Sequence, residues 1–274
     1  MKKLTLKCIN PADFIDFLSR FKVIDNNVLL EIRGNEKLLV KSFTPTGSAI
    51  KMGEIDFDEI FEEPKNDIPD NLQLGIFNVD LFIRIFNNID EDNLIFNIEY
   101  EKDEEGKNNE NINFVYKFVV KTKSIKMNIP CAEPSIFEYL SDETVTGIFD
   151  DSNCVFNFDV TPNFLSKVLN FTSFETSDAL TISIKHNKTE DKKLLLFKGK
   201  NFTLKYPDEF SGPKDDVEIS IDKEYFKFLD SEEYVVKGND EILLFESKDY
   251  SGKMNIAIGG KIDPEDEIDY SEDE

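Results

Sequence analysis

The sequence contains no tryptophan and a single histidine, His186, in 274 residues. One imidazole excludes a His-rich metal site and any mechanism that needs two imidazoles. Acid–base work by His186 alone stays open, with no neighbouring residue pointing to it. Cysteine is equally sparse. Cys8, Cys131 and Cys154 are odd in number, far apart and without a CxxC pair, which reads as reduced thiols in a cytosolic protein. The sequons at Asn170, Asn187 and Asn201 then carry no meaning. No stretch approaches the ~18 apolar residues of a membrane helix. The start, Met1 to Leu6, has two lysines but no apolar run of a secretory leader.

Positive charge is the largest deficit. Lys plus Arg number 32 against 56 Asp plus Glu, a net charge of −24. Attraction of the whole molecule to nucleic acid or to an anionic membrane is excluded, so any such contact has to be local. Catalytic signatures are missing too: no GxxxxGK[ST] phosphate loop, no GxGxxG after a strand, no GxSxG elbow. Acidic pairs such as Glu62-Glu63, Asp215-Asp216 and Glu232-Glu233 sit in polar runs and read as solvated loops. The expectation is a protein that is not an enzyme and uses no cofactor and no metal.

What is present is a phenylalanine-rich apolar fraction, 40% of the chain with 25 Phe, enough for about two domains. An internal repeat organises it. Four times a strand of period 2 runs into a capping residue and a short helix of period 3.6: the caps are Asn10, Asn78, Thr161 and Asp222. Proline follows Asn10 and Thr161, as suits a first helical turn. The first two units superpose Leu4, Leu6, Cys8 and Ile9 on Leu72, Leu74, Ile76 and Phe77. Past the cap, Phe14, Ile15, Phe17, Leu18 and Phe21 fall on Phe82, Ile83, Ile85, Phe86 and Ile89. Units three and four repeat the pattern, with Phe164, Leu165 and Val168 matching Tyr225, Phe226 and Leu229. About three further strands accompany each helix, which means antiparallel sheet and not a doubly wound fold. The fold class expected is α+β: two similar domains, each an antiparallel sheet with two helices on one face. The boundaries expected are 1–129 and 153–262 for the domains, 130–152 for a connector, and 263–274 for a disordered acidic tail.

Each helix buries one stripe and turns the other outward. Across residues 10–24, 78–89, 161–174 and 222–230 the bases are Arg20, Lys22, Arg84, Lys167, Lys223 and Lys227. Six carboxylates balance them, so the helical segments are neutral and the rest of the chain carries the whole −24. The expected core stripes are Phe14, Phe17, Leu18 and Phe21 in the first helix and Leu81, Phe82, Ile85, Phe86 and Ile89 in the second.

Four pseudo-equivalent strand–helix units in an acidic two-domain chain resemble the DNA sliding clamps, of the proliferating cell nuclear antigen kind and of tailed phages. Three segments carry the likeness. Lys253–Ile262 followed by acids is similar to the eukaryotic and archaeal clamp ending; Pro130–Ser135 is similar to a phage clamp junction; and residues 49–60 with 74–89 resemble the phage strand, "IDFD"-like turn and second helix. The resemblance implies a homotrimeric ring of six domains encircling double-stranded DNA without reading its sequence, a processivity factor tethering a DNA polymerase and served by a clamp loader. It places Arg20, Arg84, Lys167, Lys223 and Lys227 toward DNA, with Lys22 held less firmly. Asp13, Asp16 and Glu224 make that face less basic than the family implies. Ring closure is expected between strand 113–120, read as an edge (Val115, Tyr116, Phe118), and segment 201–206 (Phe202, Leu204, Tyr206). Apolar residues in the Pro-bounded connector (Ile136, Phe137, Tyr139 and Leu140) are expected to join the final strand (Ile258, Gly259, Gly260, Lys261 and Ile262) as a groove for partner peptides. The phage-like junction and the Lys, Asn, Ile and Phe bias suggest a viral protein of the host cytoplasm, with a nuclear or viral-factory site also open and no membrane partner. Two other readings stand: an acidic DNA mimic, and a single-strand DNA-binding replication protein.

Overall fold

In the computed structural model, the alternation of Leu4, Leu6 and Cys8 makes β1 (Lys2–Cys8) a strand with one fully buried face. Described are residues 2–64, 66–89, 94–102, 112–133, 136–137, 139–187, 192–213, 215–248 and 252–261. The acidic tail, Ile262 and the hairpin tip 103–111 therefore lie outside them. The chain divides into two units, Met1–Val145 with Tyr250–Asn255 and Thr146–Asp249 with Ile256–Glu274. The division at Val145 falls inside the stretch read as a connector.

The first unit continues with α1 (Pro11–Ser19), β2 (Val28–Arg33), β3 (Lys37–Phe43), β4 (Ala49–Asp56), the single turn α2 (Phe57–Ile60), β5 (Asn71–Ile76) and α3 (Val79–Asn87). After these come β6 (Leu94–Lys102), β7 (Ile112–Lys121), β8 (Lys126–Ile129) and the two-residue β9 (Cys131–Ala132), and the division falls within α4 (Asp142–Ile148). Its strands run in the order β1-β6-β7-β5-β2-β3-β4, with β8 on β7 and β9 on β5. Pairing is antiparallel except between β5 and β7, which run parallel over three residue pairs.

Helices α1 and α3 lie on one face of this sheet because their apolar residues recur every third or fourth position. Phe14, Phe17, Leu18, Phe82 and Phe86 all point into it. With no tryptophan available, phenylalanine fills the core. The Phe14 ring centre stands 5.9 Å from Phe61, 6.1 Å from Phe82, 6.2 Å from Phe86 and 5.8 Å from Phe96. Leu81 corrects the expected stripe: it is 40% exposed, and Val79, two residues earlier and on the opposite side of the helix, is buried.

The opposite face of β2 and β3 is also covered, which alternation did not foretell. Glu31 is 1% exposed and Lys41 reaches it at 3.3 Å, while Arg33 pairs with it as well. Asp142, at the start of α4, closes the group at 2.7 Å from Lys41 and 3.1 Å from Arg33. Burial pushes the Glu31 carboxyl above its ordinary range, and Lys41 and Arg33 oppose that shift.

The second unit holds β10 (Phe156–Val160), α5 (Pro162–Ser173), β11 (Ala179–Asn187), β12 (Lys192–Lys198), β13 (Thr203–Lys205) and β14 (Val217–Asp222). A 3-10 helix (Lys223–Phe228), β15 (Tyr234–Gly238), β16 (Ile242–Ser247) and the part of β17 (Lys253–Gly259) from Ile256 on complete it. One sheet runs β13-β12-β11-β14, and β17-β16-β15-β10 are neighbours in another. The fourth repeat helix is thus 3-10 and not α. Leu229 already has extended backbone (φ −75°, ψ 127°) and its N–H bonds to Phe226, so there is no room for a second turn.

Burial of Cys8 and Cys131 raises their thiols to about 12 and about 11, which leaves both protonated and unreactive.

Candidate nucleic-acid interface

Three of the four expected caps close their helices through side chains. Asn78 accepts from the Leu81 amide (2.9 Å), Thr161 from Phe164 (3.3 Å) and Asp222 from Glu224 (3.0 Å). Asn10 makes no such bond, and its amide donates instead to the Glu59 carbonyl. Asn78 adopts φ 63°, a left-handed conformation that asparagine tolerates better than most residues.

The outward faces differ in how far their charge is already spent. In the first unit Arg20 folds back on Asp16 at 2.9 Å with its side chain 15% exposed, and Lys22 reaches Asp80 at 3.3 Å. Arg84 is exposed, its Nε donating to the Asp80 carbonyl at 3.3 Å with no carboxylate partner among the described residues. In the second unit Lys167 is likewise exposed and without a carboxylate partner among the described residues. Lys223 turns its ammonium onto the Glu175 carbonyl at 2.6 Å, and Lys227 pairs with Glu224. Each face is therefore polar and nearly neutral, with one uncommitted cation apiece. Such a surface tolerates phosphates at a distance through water; it does not grip them.

The expected ring edge needs correction. Strand β7 has β6 along one side, and on the other β5 for residues 112–114 and β8 for residues 118–121. Val115 and Phe118 are each 1% exposed core residues, and of the three named only Tyr116 is exposed. Beside β7 the edge strand is β8, which among the described residues pairs with β7 alone; β1, paired only with β6, is a second edge of this sheet. In the second unit β13 pairs only with β12, so the expectation of an edge near 201–206 fits. Leu204 and Phe202 are half-buried there, while Tyr206 is buried and donates to the Asp159 carbonyl at 2.6 Å.

Sequence reading missed what flanks β13. Phe174 is 82% exposed and Phe171 45%, and Phe171 stacks on Phe202 with ring centres 5.4 Å apart. Next to them Glu175 is buried, its carboxylate accepting from the amides of Asn201 (2.8 Å), Thr176 (2.8 Å) and Ser177 (3.1 Å). A Cβ on Gly199 would strike that carboxylate and the Phe202 ring, so only glycine lets the loop approach. The Asn201 bond, foremost, holds the Glu175 carboxyl below its ordinary range. A depressed folded-state value stabilises above the unfolded pKa and loses that contribution as pH falls through the depressed one. Glu175→Gln is expected to lower the melting temperature at neutral pH, with the difference from the wild-type chain shrinking below about pH 4. Thermal scans across pH check this.

The two halves of the expected peptide groove stand as follows. In the first unit Phe137 lies against Gly75, Tyr139 lies under the Lys41 ammonium at 5.2 Å, and the Leu140 carbonyl accepts from Lys41 at 3.0 Å. All three are half-buried, and Ile136 alone stands out at 57% exposure. In the second unit Ile258 is fully buried and is core, which removes it from any groove wall. Gly259 and Gly260 are half-buried. Lys261 pairs with Asp222 at 3.3 Å while its amide bonds to Ser220 at 2.6 Å.

No protein-family model and no curated protein sequence matches the chain. Solved structures do. The crystal structure of proliferating cellular nuclear antigen from Entamoeba histolytica aligns over 94% of this chain and 99% of its own, with TM-score 0.66 and 14% identity. PCNA from Thermococcus kodakaraensis aligns over 95% and 100%, at 0.61 and 10%. A. fulgidus PCNA, solved with the bound C-terminal region of FEN-1, aligns over 95% and 99%, at 0.63 and 13%. Strand–cap–helix repeats, antiparallel sheets and near full-length superposition together give this chain the fold of the PCNA-like sliding clamps.

Proposed function

We propose that the chain is the subunit of a DNA sliding clamp: a homotrimer that encircles duplex DNA and tethers a polymerase and other replication proteins. The observation that carries this is charge segregation on a clamp fold. A chain of net charge −24 presents near-neutral helix faces, and one cation on each, Arg84 and Lys167, stays uncommitted. A strongly anionic ring repels DNA from most of its outer surface, so contact there is confined to local basic patches, while neutral polar helices let phosphates pass at water-bridged distance. Retention then depends on topology, and weak contact leaves the ring free to slide.

Closure uses two of the unpaired edges, β8 of one subunit and β13 of the next, because joining them satisfies backbone groups that otherwise invite aggregation. Phe171 and Phe174 supply the apolar burial beside β13. The FEN-1 segment seen on the A. fulgidus clamp supports a peptide partner here too, with Ile136 as the exposed apolar contact of the connector. A clamp loader is required to open the ring. The acidic DNA-mimic reading is disfavoured by the neutral helices, since a mimic carries its carboxylates there as well. Solution mass tests the proposal: about 95 kDa, three times 31.6 kDa, is expected, and a monomer at micromolar concentration would count against it.

A further inference from the structure

The sheet face of the first unit that lies opposite α1 and α3 carries a basic concavity in an otherwise strongly acidic chain. Its volume is about 360 Å³, and Lys3, Lys117, Lys121 and Lys126 surround it, with Thr5 and Asn97 between them. Strand register brings these residues together. Lys3 and Lys117 flank Glu99 from either side, Thr5 stands opposite Asn97, and Lys121 stands opposite Lys126. Leu4, Leu6, Phe96 and Ile98 alternate the other way, into the core under the helices. We infer that this concavity is a binding site for the phosphate backbone of a nucleic-acid strand.

Charge is the first reason. Four ammonium groups meet one carboxylate, a local excess of three positive charges where the chain as a whole carries −24. Glu99 is already engaged by Lys117 at 2.9 Å. Lys3, Lys121 and Lys126 form no salt bridge with any described residue. Lys121 and Lys126 form a directly opposed cross-strand pair of like charge, an arrangement that destabilises a sheet unless an anion sits between them.

The lining selects among anions. It contains no aromatic ring, so bases have nothing to stack on and the contact is blind to sequence. Its apolar members, Leu4, Ile98 and Val119, are 2%, 1% and 6% exposed, which leaves a peptide no pocket for an anchoring side chain. The lysines act as point charges, a recognised way to hold phosphate oxygens without fixing the geometry of each contact. Hydroxyl and amide groups complete the donor set usual for backbone contacts. From β1 to β8 is three strand steps, about 14 Å, which matches about four phosphates at a rise of ~3.4 Å per nucleotide. Ring closure through β8 uses its backbone edge and leaves this lysine-bearing face open.

The test uses the full chain with a small covalently closed DNA circle and no loader, so that nothing can thread a ring. Binding is expected at low salt, with log K falling linearly in log salt. The triple variant Lys3→Gln/Lys121→Gln/Lys126→Gln is expected to lose about 2.7 units of that slope, ~0.9 for each phosphate contact. Its melting temperature should stay at or above the wild-type value, because like-charge repulsion is relieved. Lys126→Gln alone should lose about 0.9 units of slope. The inference is overturned if the wild-type chain does not bind the circle at low salt, or if the triple variant keeps the same affinity and slope. It is equally overturned if a polyglutamate peptide binds the site in preference to DNA, which would make the partner an acidic protein. Solution mass is independent of all these outcomes, so failure here and failure of the clamp reading are separate results.

Discussion

Phe171→Asp combined with Phe174→Asp is expected to turn a particle of about 95 kDa into a 31.6 kDa monomer and to abolish processivity. Phe174 is 82% exposed and Phe171 45%, beside a strand whose outer edge has no partner. Exposed aromatics next to unpaired backbone form a surface built to be covered. Fully burying an exposed ring contributes about 1.5–3 kcal/mol; scaled to the surface still exposed on Phe174 and Phe171, the two account for roughly 2–4 kcal/mol, or about 30- to 10³-fold in affinity at each contact. A carboxylate at these positions adds a desolvation cost. The fold should survive, because neither ring belongs to the core of its unit. Sedimentation reads the mass and circular dichroism reads the fold. A variant that sediments like the wild-type chain would remove β13 and its phenylalanines from the interface.

Phe14→Ala is the opposite case, a change expected to unfold and not to dissociate. Phe14 is 1% exposed and meets four other rings, Phe61, Phe82, Phe86 and Phe96, that come from three separate parts of the first unit. Removing a buried phenylalanine costs about 3–5 kcal/mol, the lost transfer energy plus the cavity left behind. Against a total stability of about 5–15 kcal/mol that is severe. For a unit of this size it corresponds to a fall of roughly 6–20 °C in Tm. Phe77→Ala serves as the control: that ring is 59% exposed, and its loss should move stability by less than about 0.5 kcal/mol. Calorimetry that finds the two variants equally stable would contradict the packing described for α1.

Local signals made much of this legible. The spacing of Phe14, Phe17, Leu18 and Phe21 gives the stripe of α1 because a helix presents every third or fourth residue to one side. The caps at Asn78, Thr161 and Asp222 announce themselves by residue type. What escaped depends on partners far away in sequence. Glu31 in β2 is buried because Lys41 and Arg33 neutralise it, and Asp142, more than a hundred residues on, balances the second positive charge by pairing with both of them. Strand β7 reads as an edge because nothing in its own residues reveals β5 and β8 on its far side. Residues 223–228 carry helical periodicity, but six residues are too few to distinguish a 3-10 turn from an α-helix. Charge at the helix faces was legible as a balance. Which cations stay uncommitted was not, since Arg20 and Lys227 are claimed by carboxylates three or four residues away while Arg84 and Lys167 are not.

Topological retention on DNA is the most direct measurement. The protein is loaded by a clamp loader onto a nicked circular duplex, washed at a salt concentration that dissociates phosphate contacts, and followed after the circle is cut once. A sliding clamp stays bound through the salt wash and leaves when the circle becomes linear, because only the closed path holds it. Loss of the protein in the salt wash, or its persistence on DNA after linearisation, would contradict encirclement.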